Sequence, residues 1–254
     1  MTTVRQAFGY VLALLGVVTL TQTAWAAVGT AAVPTPNADV SVVDVQPRMG
    51  SQVGVAHPIV VTFGEPVADR ARAERSIRVV SPTAVTGEYD WISPNTVHFV
   101  PDDLWPAHSE IKLLAGGMPM SFRTGAAVTA VADISAYTFT VSIDGEVVRQ
   151  MPASMGKSKF PTPQGRFTVL GKENPVVMDS RTIGIPLDDP EGYKLTVNHA
   201  VRITWGGVYI HSAPWSVGSQ GYANVSHGCI NLSPDNAAWY YNNVGIGDLV
   251  VVQA

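Results

Sequence analysis

The chain has 254 residues, a hydrophobic fraction of 46% and a formal net charge of −4. This length allows one large domain or two of ordinary size, and the hydrophobic fraction is that of a globular protein rather than a disordered one. The acidic balance, without any run of basic residues, argues against nucleic acid or an anionic membrane surface as a partner.

The first 26 residues differ from the rest of the chain. A single charge, Arg5, precedes an uncharged apolar run from Phe8 to Leu20, and the segment ends in the small-residue pattern Ala24-Trp25-Ala26. This order is typical of a secretory signal peptide, whereas a membrane span needs about 20 apolar residues. We therefore predict a protein exported to the cell envelope, on the periplasmic side of the cytoplasmic membrane. An uncleaved N-terminal membrane anchor is the alternative for residues 1–26.

Residues 27–125 have the pattern of an immunoglobulin-like β-sandwich. Short alternating apolar runs separated by prolines predict seven strands. These are Val40–Val45, Ile59–Phe63, Ser76–Val80, Glu88–Ile92, Val97–Val100, Glu110–Leu114 and Met120–Arg123. Cysteine is absent here, so Trp91 and Phe99 are expected to form the core without an inter-sheet disulfide. The three histidines of this region, at 57, 98 and 108, are interpreted as structural or surface residues.

Residues 126–254 predict a second, β-rich domain with one short helix. The small and alanine-rich segment Gly125–Ser135 is interpreted as a linker or a join between the domains. Asp144-Gly145 is a two-residue hairpin signal, and Ser233-Pro234 supplies an N-cap and a first-turn proline for a helix over Pro234–Asn242. The predicted strands are Tyr137–Ile143, Glu146–Met151, Arg166–Leu170, Lys194–Val197, Val201–Trp205, Val208–His211 and Asp248–Val252.

Cys229 is the only cysteine in the sequence and therefore has no partner for an internal disulfide. A free thiol in an exported protein is either buried and inert or retained for its reactivity. His227 lies two residues before it, and His211 reaches it only if the turn-rich loop between them folds back. An inert thiol would not explain these neighbours, so the pattern favours a cysteine nucleophile with a histidine base.

Zinc is an alternative use of the same side chains. His211, His227 and Cys229 have the chemistry of three zinc ligands with a catalytic water in the fourth position. Zinc sites that use cysteine more often include a second cysteine, and two ligands separated by one residue are tightly spaced. We therefore predict no metal and no cofactor.

The motifs around Cys229 resemble those of the L,D-transpeptidases, and in particular the mycobacterial type. The family signature is a histidine, a loop of about this length, then Ser/Thr-His-Gly-Cys and, one residue later, Asn or Arg. Here it reads His211, then Ser-His-Gly-Cys-Ile-Asn over residues 226–231. The segment TPQGRF at 162–167 looks like the family's T-P-x-G-x-F. An immunoglobulin-like domain before the catalytic domain is a further similarity, so the resemblance covers essentially the whole chain after the signal segment.

The resemblance implies a peptidoglycan L,D-transpeptidase. Cys229 would attack the carbonyl of the third residue of a tetrapeptide stem, release D-alanine, and pass the acyl group to the side-chain amine of a diaminopimelate in a second stem. His211 would be the general acid/base, oriented by the backbone carbonyl of Ser212. The N–H groups of His227, Gly228 and Cys229, assisted by the Tyr193 hydroxyl, would hold the oxyanion. Carbapenem β-lactams would be covalent inhibitors.

Other residues are candidates for contacts with the stem peptide. Gly206 and Gly207 expose backbone without side chains just before the strand that carries His211. Asn231 has the chemistry to bind a stem carboxylate or amide, while Trp215 and Met178 are candidate walls of the cleft.

Two other functions remain open at the level of sequence. An L,D-carboxypeptidase would use the same thioester chemistry with water as the acceptor, and the sequence separates it poorly from a transpeptidase. A non-catalytic cell-wall binding module would need no free thiol beside a histidine, so the complete motif argues against it.

Overall fold

The structure is a computed structural model that describes residues 41–254. The predicted signal peptide or anchor lies outside these residues. Within the described part of the chain, no helix has the length and apolar character needed to cross a membrane.

The first half of the described chain is a sandwich of two four-stranded sheets. Its elements are β1 (Val42–Gln46), β2 (Gln52–Val53), β3 (Ile59–Phe63), α1 (Arg70–Arg75), β4 (Ile77–Ser81), β5 (Gly87–Ser93), β6 (Thr96–Pro101), β7 (Glu110–Ala115) and β8 (Met118–Thr124). One sheet has the order β1-β3-β6-β5 and the other β2-β8-β7-β4. The seven predicted strands and the mainly-β fold class are confirmed, whereas β2 and α1 were not predicted.

The sandwich core consists of the inward-facing residues of both sheets. In β3 the side chains of Ile59, Val61 and Phe63 are buried while those between them are partly exposed, because successive strand residues face opposite sides. Trp91 stacks on Phe63 with ring centroids 5.9 Å apart. Phe99 is buried in the same core and Trp91 packs against it, as the sequence predicted.

The second half is also mainly β. Its elements are β9 (Val128–Asp133), β10 (Thr138–Ile143), β11 (Glu146–Pro152), β12 (Gly165–Thr168), β13 (Gly171–Glu173), β14 (Val176–Asp179), β15 (Lys194–Val197), β16 (Ala200–Arg202), β17 (Tyr209–Ser212), β18 (Ile230–Leu232), α2 (Pro234–Asn243) and β19 (Leu249–Gln253). They form a five-stranded sheet (β11-β10-β9-β19-β12), a four-stranded sheet (β13-β16-β17-β18) and the pair β14-β15. One shared core lies between the two larger sheets and α2.

The interpretation of Gly125–Ser135 as a linker is wrong. Val128–Asp133 forms β9, the central strand of the five-stranded sheet, paired antiparallel to β10 and parallel to β19. Ala130 and Ala132 are fully buried. Small side chains let neighbouring layers approach closely. The alanine-rich composition that is typical of a linker therefore belongs, in this protein, to the central strand of a sheet.

Local turn and cap signals are confirmed. Asp144 and Gly145 have φ of 50° and 90° and connect β10 to β11, which matches the backbone that a two-residue hairpin requires. The Ser233 side chain accepts the N–H of Asn236 at the start of α2. The predicted strand Val201–Trp205 is shorter than expected, because Thr204 starts a turn in which it accepts the N–H groups of Gly207 and Val208.

The two halves are joined by backbone contacts as well as by the chain. Gly54 N–H donates to Ile246 O and Ala56 N–H to Gly247 O, each at 2.8 Å. A Cβ on Gly54 would lie 2.2 Å from the backbone nitrogen of Asp248, so only glycine allows this approach. His108 Nε2 lies 2.9 Å from Asp144 Oδ2, which places that histidine in the junction.

Candidate active site

A cavity of about 330 Å³ lies in the second half of the molecule. It is lined by Met178, Tyr193, Leu195, His211, Trp215, Ser216, Ser219, Val225, Ser226, His227, Cys229 and Asn231. Every lining residue follows β13 in the chain. The sandwich therefore contributes no side chain to this cavity.

Pairing of β17 with β18 brings His211 and Cys229 to one cavity. β17 and β18 are parallel, with His211 opposite Asn231. Cys229 directly precedes β18, and it lines the same cavity as His211 and Asn231. A parallel pair needs a long crossover connection, and residues 213–229 supply it. The predicted folding back of this loop is therefore what the structure shows.

His211 is held in one orientation by its own strand. Its Nδ1–H donates to the carbonyl of Ser212 at 2.9 Å, and the residue is only 3% exposed. Fixing the proton on Nδ1 leaves Nε2 as the free acceptor. Burial lowers the pKa of His211, and the bond to the Ser212 carbonyl opposes this only in part, so the imidazole is neutral at neutral pH.

Cys229 lines the cavity, and the residue is partly exposed. Its thiol points toward the carbonyl of Gly207, with Sγ 3.7 Å from the oxygen. Protein atoms nevertheless surround the sulfur closely, and this desolvation raises the pKa of the Cys229 thiol to about 12. Since only the thiolate is a good nucleophile, the resting thiol needs a base to accept its proton.

The loop before Cys229 is fixed by Ser226. Gly228, which has φ of +116°, donates its N–H to Ser226 Oγ at 3.1 Å, and Ser226 Oγ–H donates to the carbonyl of Cys229 at 2.6 Å. This corrects one expectation from the sequence. The N–H of Gly228 is engaged within the loop rather than pointing freely toward a substrate.

Three side chains contact the ring of His227. Its Nε2 lies 2.9 Å from Glu191 Oε2, and its centroid is 4.9 Å from Phe160 and 5.0 Å from Tyr193. Glu191 also pairs with Lys157, which lowers the pKa of this carboxyl, with His227 adding to the effect.

The remaining candidates occupy distinct places around the cavity. Met178 comes from β14, Tyr193 from the segment before β15, and the half-exposed Trp215 from a short 3₁₀ helix over Pro214–Ser216. Asn231 borders the cavity, but it is buried and its Nδ2 donates to Ser216 Oγ at 3.2 Å. Burial raises the pKa of Tyr193, with Cys229 and Asp179 adding to the effect, so its hydroxyl keeps its proton.

Gly206 and Gly207 form the turn before β17 and do not line the cavity. Gly207 has φ of +95°, a conformation that glycine adopts without strain. Its carbonyl is the one that faces the Cys229 thiol. This glycine pair thus meets the site through backbone.

Two residues of the site were missed by sequence reasoning. Glu191 lies in a polar loop without a motif, so no local signal identifies it. Thr162 begins the TPQGRF segment and is buried at 3% exposure, with its Oγ1 2.9 Å from the carbonyl oxygen of Gly228. Its place in a recognised segment was a usable signal. Among residues 41–254, no three His, Cys, Asp or Glu side chains converge in a metal-binding arrangement.

A β-sandwich followed by a β-rich half, with a buried imidazole and the only thiol of the chain in one cleft, has the groups of a cysteine-dependent acyl-transfer site. Residues 127–252 match the family described as the L,D-transpeptidase catalytic domain, and residues 19–116 match the bacterial Ig domain. L,D-transpeptidase 1 of Mycobacterium tuberculosis is 56% identical over 225 residues, which are 89% of this chain and 90% of that protein. The chain belongs to the L,D-transpeptidase family.

Solved structures agree with this assignment. An L,D-transpeptidase from Mycobacterium smegmatis has a TM-score of 0.81 and 67% identity, covering 85% of this chain and 99% of its own. The structure of a mycobacterial L,D-transpeptidase in complex with imipenem has a TM-score of 0.81 and 57% identity, covering 84% and 98%. The protein is accordingly a peptidoglycan cross-linking acyltransferase. Its family acts in the cell envelope, which implies export.

Proposed function

We propose that Cys229 is the nucleophile of a two-step acyl transfer between peptidoglycan stems. In the first step, His211 Nε2 accepts the thiol proton while Sγ bonds to the carbonyl carbon of the third stem residue. The tetrahedral intermediate then collapses. The bond to the nitrogen of D-alanine breaks, and His211 returns the proton to that amine as it leaves.

The second step regenerates the thiol. The side-chain amine of a diaminopimelate in the acceptor stem attacks the thioester carbonyl and loses a proton to His211. The carbon–sulfur bond breaks, and the proton passes to Sγ. The product is an amide that joins the third residues of two stems.

We assign stabilisation of the oxyanion to the N–H groups of Cys229 and His227, with the Tyr193 hydroxyl as a further donor. Gly228 supports the site through the shape of the loop, because its N–H is held by Ser226. A preorganised donor of this kind typically contributes about 2.7–4 kcal/mol to the barrier reduction. Met178 and Trp215 are assigned to the walls that receive the stem peptide. Asn231 is assigned to support of the loop between β17 and β18.

The observation that carries this proposal is the placement of His211. A single backbone carbonyl fixes its tautomer, and His211 lines the same cavity as Cys229, the only cysteine of the chain. A group that accepts a proton must be correctly oriented as well as basic. Burial of both groups in one cavity supports proton transfer between them during attack.

The test is acylation of intact protein by a carbapenem, followed by mass spectrometry. The wild type is expected to gain the mass of one carbapenem, and Cys229→Ala none, with unchanged circular dichroism. His211→Gln is expected to acylate far more slowly than His227→Gln, because His227 acts through its backbone. Acylation of Cys229→Ala would overturn the assignment of the nucleophile, and an active His211→Gln beside an inactive His227→Gln would exchange the two histidine roles.

Carbapenems are proposed as covalent inhibitors of this chain, and stem peptides of peptidoglycan as its substrates. Incubation with a disaccharide tetrapeptide distinguishes the products. A cross-linked dimer with release of D-alanine is the expected result, whereas free tripeptide alone would indicate a carboxypeptidase. We further propose that the protein works on the outer side of the cytoplasmic membrane.

A further inference from the structure

Thr162 makes two hydrogen bonds whose directions are fixed by chemistry. Its Oγ1 lies 2.8 Å from the nitrogen of Gly156 and 2.9 Å from the carbonyl oxygen of Gly228. The amide can only donate and the carbonyl can only accept. The hydroxyl therefore accepts from Gly156 and donates its single proton to Gly228.

The Gly228 carbonyl belongs to the same peptide unit as the N–H of Cys229. In a trans peptide these two groups point in opposite directions and lie in one plane. Holding the oxygen from one side therefore fixes the direction of the Cys229 N–H on the other side. A hydrogen bond to the carbonyl also polarises the amide and strengthens its N–H as a donor.

The support behind Thr162 is rigid. A Cβ on Gly156 would lie 2.2 Å from the carbonyl oxygen of Phe160, so residues 156–162 form a tight turn. The same turn pairs with the loop of the site, because Lys157 N–H donates to the carbonyl of Ser226 at 3.1 Å. Thr162 is thus a buried, fixed donor rather than a mobile side chain.

We propose that Thr162 is a positioning residue for acylation, whose hydroxyl aims and polarises the Cys229 N–H toward the carbonyl oxygen that becomes negative. This inference rests on the proposed function, since it assigns to that N–H the oxyanion of the thioester-forming step. Thr162 touches no reacting atom. It acts through the Gly228–Cys229 peptide.

The test compares Thr162→Val with Thr162→Ser. Valine keeps the shape of threonine and removes the hydroxyl, whereas serine keeps the hydroxyl. The matched control is Thr124→Val in the sandwich, where a buried threonine hydroxyl likewise accepts a backbone N–H, from Ser109, and donates to the carbonyl of Pro106. That variant removes an equivalent pair of bonds far from the cavity.

Two reactions of Cys229 are followed in each variant. Acylation by imipenem passes through an oxyanion, whereas alkylation by iodoacetamide displaces iodide at a saturated carbon and forms none. We expect Thr162→Val to lower the first-order acylation constant about 10- to 100-fold, part of the loss seen when an oxyanion donor is removed. Alkylation should keep the wild-type rate. Thr162→Ser and Thr124→Val should acylate at close to the wild-type rate.

Three outcomes would overturn the proposal: wild-type acylation in Thr162→Val, an equal loss in Thr162→Ser, or a parallel loss of alkylation. If Thr162→Val does not fold, Thr162→Ala replaces it, and acylation as fast as in Thr162→Ser then refutes the proposal. Cys229→Ala distinguishes a failure of the proposed function from a failure of the role assigned to Thr162. If it is still acylated, the proposed function fails, whereas an inert Cys229→Ala beside a fully active Thr162→Val removes only the role of Thr162.

Discussion

In the proposed reaction Cys229 and His211 exchange a proton, and burial shifts the pKa of each in the direction that keeps it neutral. Desolvation raises the pKa of the thiol to about 12 and lowers the pKa of the imidazole. In the free protein the proton therefore remains on sulfur. Attack by Sγ in the proposed reaction requires that this proton pass to the imidazole.

The pH dependence of alkylation follows from these shifts. Because the thiolate fraction rises about tenfold per pH unit below the thiol pKa, we expect the rate of Cys229 alkylation by iodoacetamide to keep increasing from about pH 7 to about pH 10. Pseudo-first-order rates measured by mass spectrometry across this range provide the check. A plateau near neutral pH would instead indicate a preformed thiolate–imidazolium pair.

The segment between β14 and β15 connects the wall of the cavity to the loop of the nucleophile. Tyr193 lies at its end, and Ser180 Oγ accepts the N–H of Tyr193 at 3.0 Å. Glu191 joins the same segment to His227 and Lys157. Glu191 thus ties this segment, called the cover below, to the loop of the nucleophile.

Removal of that carboxylate should loosen the cover. For Glu191→Ala we expect carbapenem acylation to slow several-fold, with a weaker initial complex, because Tyr193 and the ring of His227 lose their shared support. Lys159→Ala is the control, since Lys159 Nζ lies 3.8 Å from Glu191 and its side chain is 65% exposed, where such pairs contribute little. Saturation kinetics of acylation separate affinity from rate.

A double-mutant cycle identifies the route of the effect. If Glu191 acts through His227, the loss in Glu191→Ala/His227→Ala should be smaller than the product of the two single losses. Strictly independent losses would mean that Glu191 supports the cover by another path.

At the scale of the whole molecule, the sandwich and the catalytic half meet through the turn between α2 and β19. Val55 is fully buried and His57 packs against Gly247. Asp248 lies in the same junction, and its burial raises the pKa of this carboxyl to about 7. The junction adjoins β19 of the five-stranded sheet, which shares its core with the four-stranded sheet that carries His211.

A fragment of residues 126–254 tests this division. We expect it to be acylated by a carbapenem, because all the residues of the site follow Ser154 in the chain. We also expect it to unfold several degrees below the intact protein, since Gly247 and Asp248 lose their contacts with the sandwich. Differential scanning calorimetry and mass spectrometry measure the two properties. Cross-linking of intact muropeptides should fall further than carbapenem acylation, because large substrates use remote binding contacts. A folded fragment that resists acylation would show that the sandwich shapes the site.

Features encoded within a few residues were predictable from the sequence. The turn at Asp144-Gly145, the capped helix α2 and the alternation of β3 are set by local backbone and side-chain preferences. The motif around Cys229 also identified the family before any geometry was available. In each case the information lies in neighbouring residues, so no knowledge of the topology is required.

Tertiary structure alone decided how distant segments meet. The alanine-rich β9 is a central strand only because β10 and β19 flank it, and composition favoured a linker. Thr162 reaches Gly228 across 66 positions, and Glu191 reaches His227 across 36. Ser226 Oγ accepts the N–H of Gly228 because of a loop geometry that no residue pattern specifies. The sequence by itself identified the groups that we propose carry the chemistry. The packing of segments far apart in the chain determined which hydrogen bonds aim them, because such contacts depend on the path of the whole chain.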